Sequence, residues 1–125
     1  MNVNSYREEL LRFAKETFGT QPEYLWEKTP DCCVLRHKDN RKWYGVFLNG
    51  PKQTLGLRGR DRIDMLNVKV DPFTGSLLRQ ETGFFPAYHM NKDHWVTILL
   101  DGTVEFLRIC DLLQDSFYLT GQKSS

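Results

Sequence analysis

The sequence predicts an α+β domain with an N-terminal helix, an antiparallel β-sheet and a C-terminal helix, and three observations carry that prediction. Apolar residues recur at helical spacing near both ends of the chain. Between those ends, turn residues divide the sequence into short runs rich in β-branched and aromatic residues. The runs cluster instead of alternating with helices, which separates α+β from doubly wound α/β. At 125 residues the chain has the length of one domain, expected over residues 1–120 with a flexible tail at 121–125.

Ser5 and Glu8 have capping-box spacing, and Tyr6, Leu10, Phe13, Ala14, Thr17 and Phe18 then mark one helical face. Gly19 is suited to end that helix in the left-handed conformation. Residues 32–37 and 43–48 read as a hairpin around the polar turn Lys38-Asp39-Asn40-Arg41, with Asn49-Gly50-Pro51 breaking the second strand. Residues 52–57 are expected as a third strand and 63–70 as a fourth, ended by Asp71-Pro72. A short helix is expected within 72–81 with Leu77 and Leu78 inward, then a last strand over 94–100 and the turn Asp101-Gly102. The final helix is expected to start near Thr103 or Val104 and to bury Phe106, Cys110, Leu113 and Phe117. Both helices would cover one face of the sheet and leave the other for water or a partner.

Composition narrows the class. With 40% hydrophobic and 26% charged residues, the chain can bury a core, and 13% aromatics favour a core built around rings. The start Met1-Asn2-Val3-Asn4-Ser5 lacks a signal-peptide apolar stretch, and no window has the length of a membrane span. Cys32 and Cys33 are adjacent, Cys110 falls on an apolar helix face, and there is no C-x-x-C. Reduced thiols, a cytoplasmic location and a monomer are the expectation, with no metal and no cofactor.

Net charge is +1, but it is unevenly placed. From residue 36 to 62, Arg36, Lys38, Arg41, Lys42, Lys52, Arg58, Arg60 and Arg62 stand against Asp39 and Asp61, a local +6. The remainder has nine basic and fourteen acidic residues, a net −5. A basic, loop-rich segment suits a phosphate backbone, and Gly59 would allow close approach. The same charges also keep a solvated hairpin soluble and its edges from pairing. Trp43 and Tyr44 alternate faces, so one ring is expected in the core; the other either packs against the neighbouring strand or, exposed beside Arg41 and Lys42, would be a stacking platform for single strands. Glu23, Glu27 and Asp31 lie near Tyr24 and Trp26 but are too irregularly spaced for a carboxylate dyad.

The most distinctive string is Tyr88-His89-Met90-Asn91-Lys92-Asp93-His94-Trp95, a loop leading into the last strand. With it go Leu66-Asn67-Val68-Lys69-Val70-Asp71-Pro72, Leu35-Arg36-His37 ahead of Lys42-Trp43-Tyr44, and Asp115-Ser116-Phe117-Tyr118. Together these closely resemble the MmcQ/YjbR family over nearly the whole chain. Val70 departs from the pattern where cysteine is frequent, and Phe117 precedes Tyr118 in the last motif. The resemblance implies a helix-flanked antiparallel sheet similar to type III secretion chaperones. It also implies DNA as a partner, after a double-wing arrangement of strands, and brings no enzyme assignment and no catalytic residue.

Three functional readings follow. In the first, DNA meets Arg36, Lys38, Arg41, Lys42, Arg58, Arg60 and Arg62, with Lys69, His89 and Lys92 as a second patch. In the second, the open sheet face binds a protein or peptide. In the third, His89, Asn91, Lys92 and His94, with Lys69 nearby in the pattern, form an anion, small-ligand or enzyme site. Against the third stands a structural role, with Asn91 and His94 bonding loop backbone while Met90 and Trp95 pack inward.

Overall fold

Residues 5–121 are described in the computed structural model. Helix α1 (Arg7–Phe18) buries Leu10 and Ala14 on one face and ends at Gly19, whose φ of 69° closes the last turn. Gly19 N–H donates to the Lys15 carbonyl at 2.9 Å and Thr20 N–H to that of Ala14 at 3.3 Å, which satisfies the final carbonyls. The expected capping box is absent. Ser5 instead donates to the Asp64 carboxylate at 2.6 Å and accepts from Arg7 N–H at 3.2 Å, while Glu8 is exposed. A long-range acceptor has taken the hydroxyl that local spacing assigned to the cap.

Strand β1 (Cys33–Arg36) pairs with β2 (Trp43–Pro51), which pairs with β3 (Arg62–Lys69). The hairpin is therefore as expected, but Asn49-Gly50-Pro51 continues β2 opposite Asp64, Ile63 and Arg62. Residues 52–57 are not a strand: Lys52–Leu55 is a single 3₁₀ turn closed by Gly56 at φ 77°. It folds Leu55 and Leu57 back onto the sheet. Helix α2 (Pro72–Leu78) is capped by Asp71, which accepts from Thr74 N–H at 2.9 Å. Leu78 is buried as expected, but Leu77 is exposed, because seven residues of helix present only one narrow face.

Strand β4 (Phe84–Pro86) was not expected; three residues are too few to show alternation. Strand β5 (Trp95–Leu99) and helix α3 (Phe106–Thr120) are the last elements among the described residues. Thr103 and Val104 precede α3, because Asp101 accepts from both the N–H and the hydroxyl of Thr103 and holds them in a turn. The helix runs through Thr120, whose side chain is buried, and of the expected tail 121–125 only Gly121 lies among the described residues.

The five strands among the described residues form one antiparallel sheet in the order β1-β2-β3-β5-β4. Period-two alternation gives it two apolar faces. One carries Leu35, Phe47, Leu66, Val68, Val96 and Ile98 beneath Leu10, Ala14, Ile109 and Leu113 of the two long helices. The other carries Val34, Val46, Leu48, Met65 and Leu99 and, among the described residues, has no helix against it. It is not bare, however. Leu55, Leu57, Tyr88 and Met90 from two loops pack over it.

Candidate functional site

The site begins with an irregularity in the first hairpin. Leu35 pairs with Gly45 but Arg36 pairs with Trp43, so β2 carries one extra residue, Tyr44. Such a bulge changes the face to which the following side chain belongs. A Cβ on Gly45 would meet Leu113 and Leu35, which puts position 45 on the helix side. Strict alternation would place Trp43 there too. The bulge instead seats Tyr44 in the helix-side core, fully buried with its hydroxyl donating to Thr20 Oγ1 at 2.5 Å, and turns Trp43 to the other face. Burial pushes the Tyr44 phenol up to about 12.

On that second face Trp43 lines a cavity of about 300 Å³ with Trp26, Tyr88, His89 and Met90. Its floor includes Cys32, Val46 and Leu48. The two indoles stand edge to face, 5.9 Å between centroids at 88°, and the Tyr88 and His89 rings lie 3.8 Å apart. The wall contributed by residues 88–90 is fastened from below by buried polar groups of the sheet. Asn67 donates to the Tyr88 carbonyl at 2.9 Å, Tyr88 N–H donates to Thr97 Oγ1 at 2.8 Å, and Thr97 donates to Asn67 Oδ1 at 2.5 Å. Asn67 and Thr97 are fully buried, so these bonds fix the loop rather than compete with water. His89 takes φ 63°, and Lys92 Nζ donates to the Ala87 carbonyl at 3.0 Å, closing the loop on itself.

Arg36, as the cross-strand partner of Trp43, lies on the same face. Its guanidinium holds Glu23 in two bonds of 2.9 and 2.7 Å. Those bonds, with the nearby Arg41 charge, lower the Glu23 carboxyl below its ordinary range and raise Arg36. A second, smaller cavity of about 160 Å³ lies beside this pair, lined also by Lys38 and Arg41. One residue of each cavity, Trp43 of the aromatic one and Arg36 of the cationic one, thus meets the other as a cross-strand partner.

The structure divides the predicted basic residues. Lys38, Arg41 and Lys42 are exposed at the hairpin turn, while Arg58, Arg60 and Arg62 are exposed beyond the other end of β2. Nine residues of strand separate the two groups, roughly 25–30 Å. Arg62 is held by the Asn49 side chain at 2.6 Å and by its carbonyl at 3.0 Å. Lys69 sits 5.5 Å over the Trp95 ring and lines a different cavity, with Asp71 and Asp115. It does not join His89 and Lys92, which share a cavity near Leu55 and Phe85.

Within the distinctive string, Asn91 Oδ1 accepts from Asp93 and His94 N–H at 2.8 and 3.2 Å, as the structural role requires. Trp95 is buried and Met90 is half-buried. His94 is exposed and enters through its backbone, its carbonyl accepting from Val70 N–H at 2.9 Å. Trp26 and Glu23 were missed as site residues. The only signal for them was an aromatic run, Tyr24-Leu25-Trp26, in a loop, and loops place such rings at will. Among the described residues no three His, Cys, Asp or Glu side chains gather as a metal site, and no helix is long and apolar enough to cross a membrane.

The family model described as YjbR matches residues 16–119, which includes the hairpin, the loop 88–95 and the body of α3. The chain belongs to the YjbR family. Among its relatives, protein YyaQ of Bacillus subtilis (strain 168) is 43% identical over 114 residues, covering 91% of this chain and 97% of that protein. A crystal structure of a Pseudomonas syringae protein superposes with a TM-score of 0.90 at 41% identity, over 97% of this chain and all of the other. A Deinococcus radiodurans protein follows at a TM-score of 0.72 and 26% identity, over 98% of this chain and 83% of that one. The YjbR architecture of a helix-flanked antiparallel sheet is the one described above.

Proposed function

We propose that the protein binds single-stranded nucleic acid across the side of the sheet that carries no helix. A base enters the cavity of Trp26, Trp43, Tyr88 and His89, and phosphates meet the cationic groups at the two ends of β2. The observation that carries this reading is the bulge-set pair of Trp43 and Arg36, which sets a residue of an aromatic cavity opposite a residue of a cationic one. Stacking of a base on such rings contributes about 1–3 kcal/mol without needing a particular sequence. Phosphate contacts add a salt-dependent contribution through release of counterions. A base paired in a duplex cannot enter the cavity, so single strands are preferred.

The same geometry weakens the two other readings. A peptide groove needs an open apolar face, and here Leu55, Leu57, Tyr88 and Met90 pack over that face and divide what is left into separate cavities, one of about 300 Å³ and another beside Leu55 and Phe85. A catalytic His89–His94 pair needs convergent side chains, whereas only His89 is in the cavity lining and the loop's polar groups bond its own backbone.

Fluorescence anisotropy with labelled single- and double-stranded DNA, over a salt series, tests the proposal. Single strands are expected to bind more tightly, with a steep loss as salt rises. Trp43→Ala should weaken binding roughly 5- to 150-fold, the factor that corresponds to about 1–3 kcal/mol of stacking. Reversing Arg58, Arg60 and Arg62 to Glu should flatten the salt slope. Absence of binding at low salt, or equal binding of the single strand by Trp43→Ala and the parent, overturns it.

A further inference from the structure

We infer that the cationic cavity beside the first hairpin takes a terminal phosphate monoester, so that the nucleotide unit bound here is one carrying a free phosphate end. The inference rests on the nucleic-acid reading above and specifies which phosphate is recognised. The cavity, about 160 Å³, is lined by Arg36, Lys38 and Arg41 together with Glu23 and Gln21. Three cations against one carboxylate leave a surplus of two positive charges. A monoester dianion matches that surplus, whereas an internal diester carries one charge and continues as chain on both sides of a cavity of this size.

The carboxylate already present indicates the chemistry. Glu23 fills the Arg36 fork in a bidentate geometry, the arrangement that guanidinium offers equally to phosphate oxygens. Glu23 is therefore a resident anion that an incoming dianion displaces, and its side chain, 38% exposed, has room to swing out. A singly charged diester gains little by that exchange. A dianion gains the fork and the neighbouring Lys38 or Arg41.

The cavity is also held in place before any ligand arrives. Asn40 donates from Nδ2 to the Thr120 carbonyl at 2.8 Å and accepts from Lys42 N–H at 2.8 Å, and His37 Nε2 meets Thr120 Oγ1 at 2.9 Å. These bonds tie the turn to the end of α3 and keep Arg41 at φ 65°, a conformation that a long side chain rarely adopts. Trp43, opposite Arg36, then receives the ring attached to that phosphate.

The test compares one short labelled strand in three forms, with a 5′-phosphate, a 3′-phosphate or hydroxyl ends, and adds nucleoside monophosphate and nucleoside as competitors. One phosphorylated form is expected to bind about tenfold more tightly than the hydroxyl form. Competition by the monophosphate at comparable concentration would mark a free nucleotide as the source of the same chemistry. Arg36→Gln should abolish the difference and Glu23→Gln should enlarge it, each in a variant whose melting temperature shows it folded. Equal binding of all three forms overturns the inference and leaves the single-strand reading in place. Failure of every strand to bind overturns that reading instead. The cavity is then judged by inorganic phosphate alone: titration must shift the Arg36 side-chain NMR resonance in the parent, and no shift overturns the inference as well.

Discussion

Replacing Asn67 with Ala isolates what holds the aromatic wall in place. Asn67 is fully buried and makes two bonds, donating to the Tyr88 carbonyl and accepting from the Thr97 hydroxyl. Each neutral hydrogen bond is worth about 1 kcal/mol net, and a buried partner left without one costs about 1–3 kcal/mol. Truncation leaves the Tyr88 carbonyl and the Thr97 hydroxyl proton without partners, so the expected loss is roughly 2–4 kcal/mol, or on the order of 10 °C in melting temperature. The assay is thermal unfolding by circular dichroism, paired with strand-binding anisotropy. Asn67→Ala should lower the melting temperature and, in the folded protein, weaken binding as the Tyr88 wall loosens. Because Asn67 and Thr97 share one network, the double variant Asn67→Ala/Thr97→Val should cost less than the two single changes together, by about 1 kcal/mol. A loss under roughly 2 °C, or strict additivity, would refute the account of this network.

Other expectations follow from particular residues. Gly83 sits at φ 96°, and a Cβ there would lie 2.6 Å from Val104 Cγ2, so Gly83→Ala should destabilise by about 2 kcal/mol or more, measured by urea denaturation. Glu23 and Glu81 are held below their ordinary range chiefly by hydrogen bonds from Arg36 and Arg108. Their contribution is present above the unfolded carboxylate value of about 4.5 and is lost as pH falls through the lower folded value; Glu81→Gln should flatten the acid limb of a stability-versus-pH curve. Tyr44 runs the other way. Its phenol, raised by burial to about 12, makes stability fall as pH climbs from about 10, and Tyr44→Phe should remove part of that alkaline slope in the same measurement. Cys110, raised by burial to about 11, should resist iodoacetamide at pH 8 until the chain is unfolded.

The elements with a clear pattern were legible in the sequence: α1 and α3 from their apolar faces, the first hairpin from two β-rich runs around a polar turn, and β3 and β5 as runs ended by turn residues. The misreadings share a cause. Residues 52–57 have strand-like composition, but the turn closed by Gly56 and the burial of Leu55 and Leu57 on the sheet decide their conformation. Ser5 has the right spacing for a cap, but Asp64, brought near only by the fold, takes its hydroxyl. The site was legible only in part. That one of Trp43 and Tyr44 is core could be read from alternation, but which one depends on a bulge that leaves no mark in the residues themselves. The +6 segment looked continuous because sequence does not show that a nine-residue strand holds its halves apart. Glu23 meets Arg36 through the pairing of residue 23 with Val34, a bridge outside any strand-length run.

The three tryptophans offer the most direct test of the central claim, that the cavity on the helix-free face receives a base. Trp26 and Trp43 line it, while Trp95 lies outside it beneath Lys69 and serves as an internal reference. Their indole N–H resonances should be followed by ¹H–¹⁵N NMR as a short single-stranded oligonucleotide is added. The account predicts that the Trp26 and Trp43 signals shift together and saturably while that of Trp95 stays in place. Movement of Trp95 alone, or no movement of any of the three under conditions where the strand binds, would contradict it.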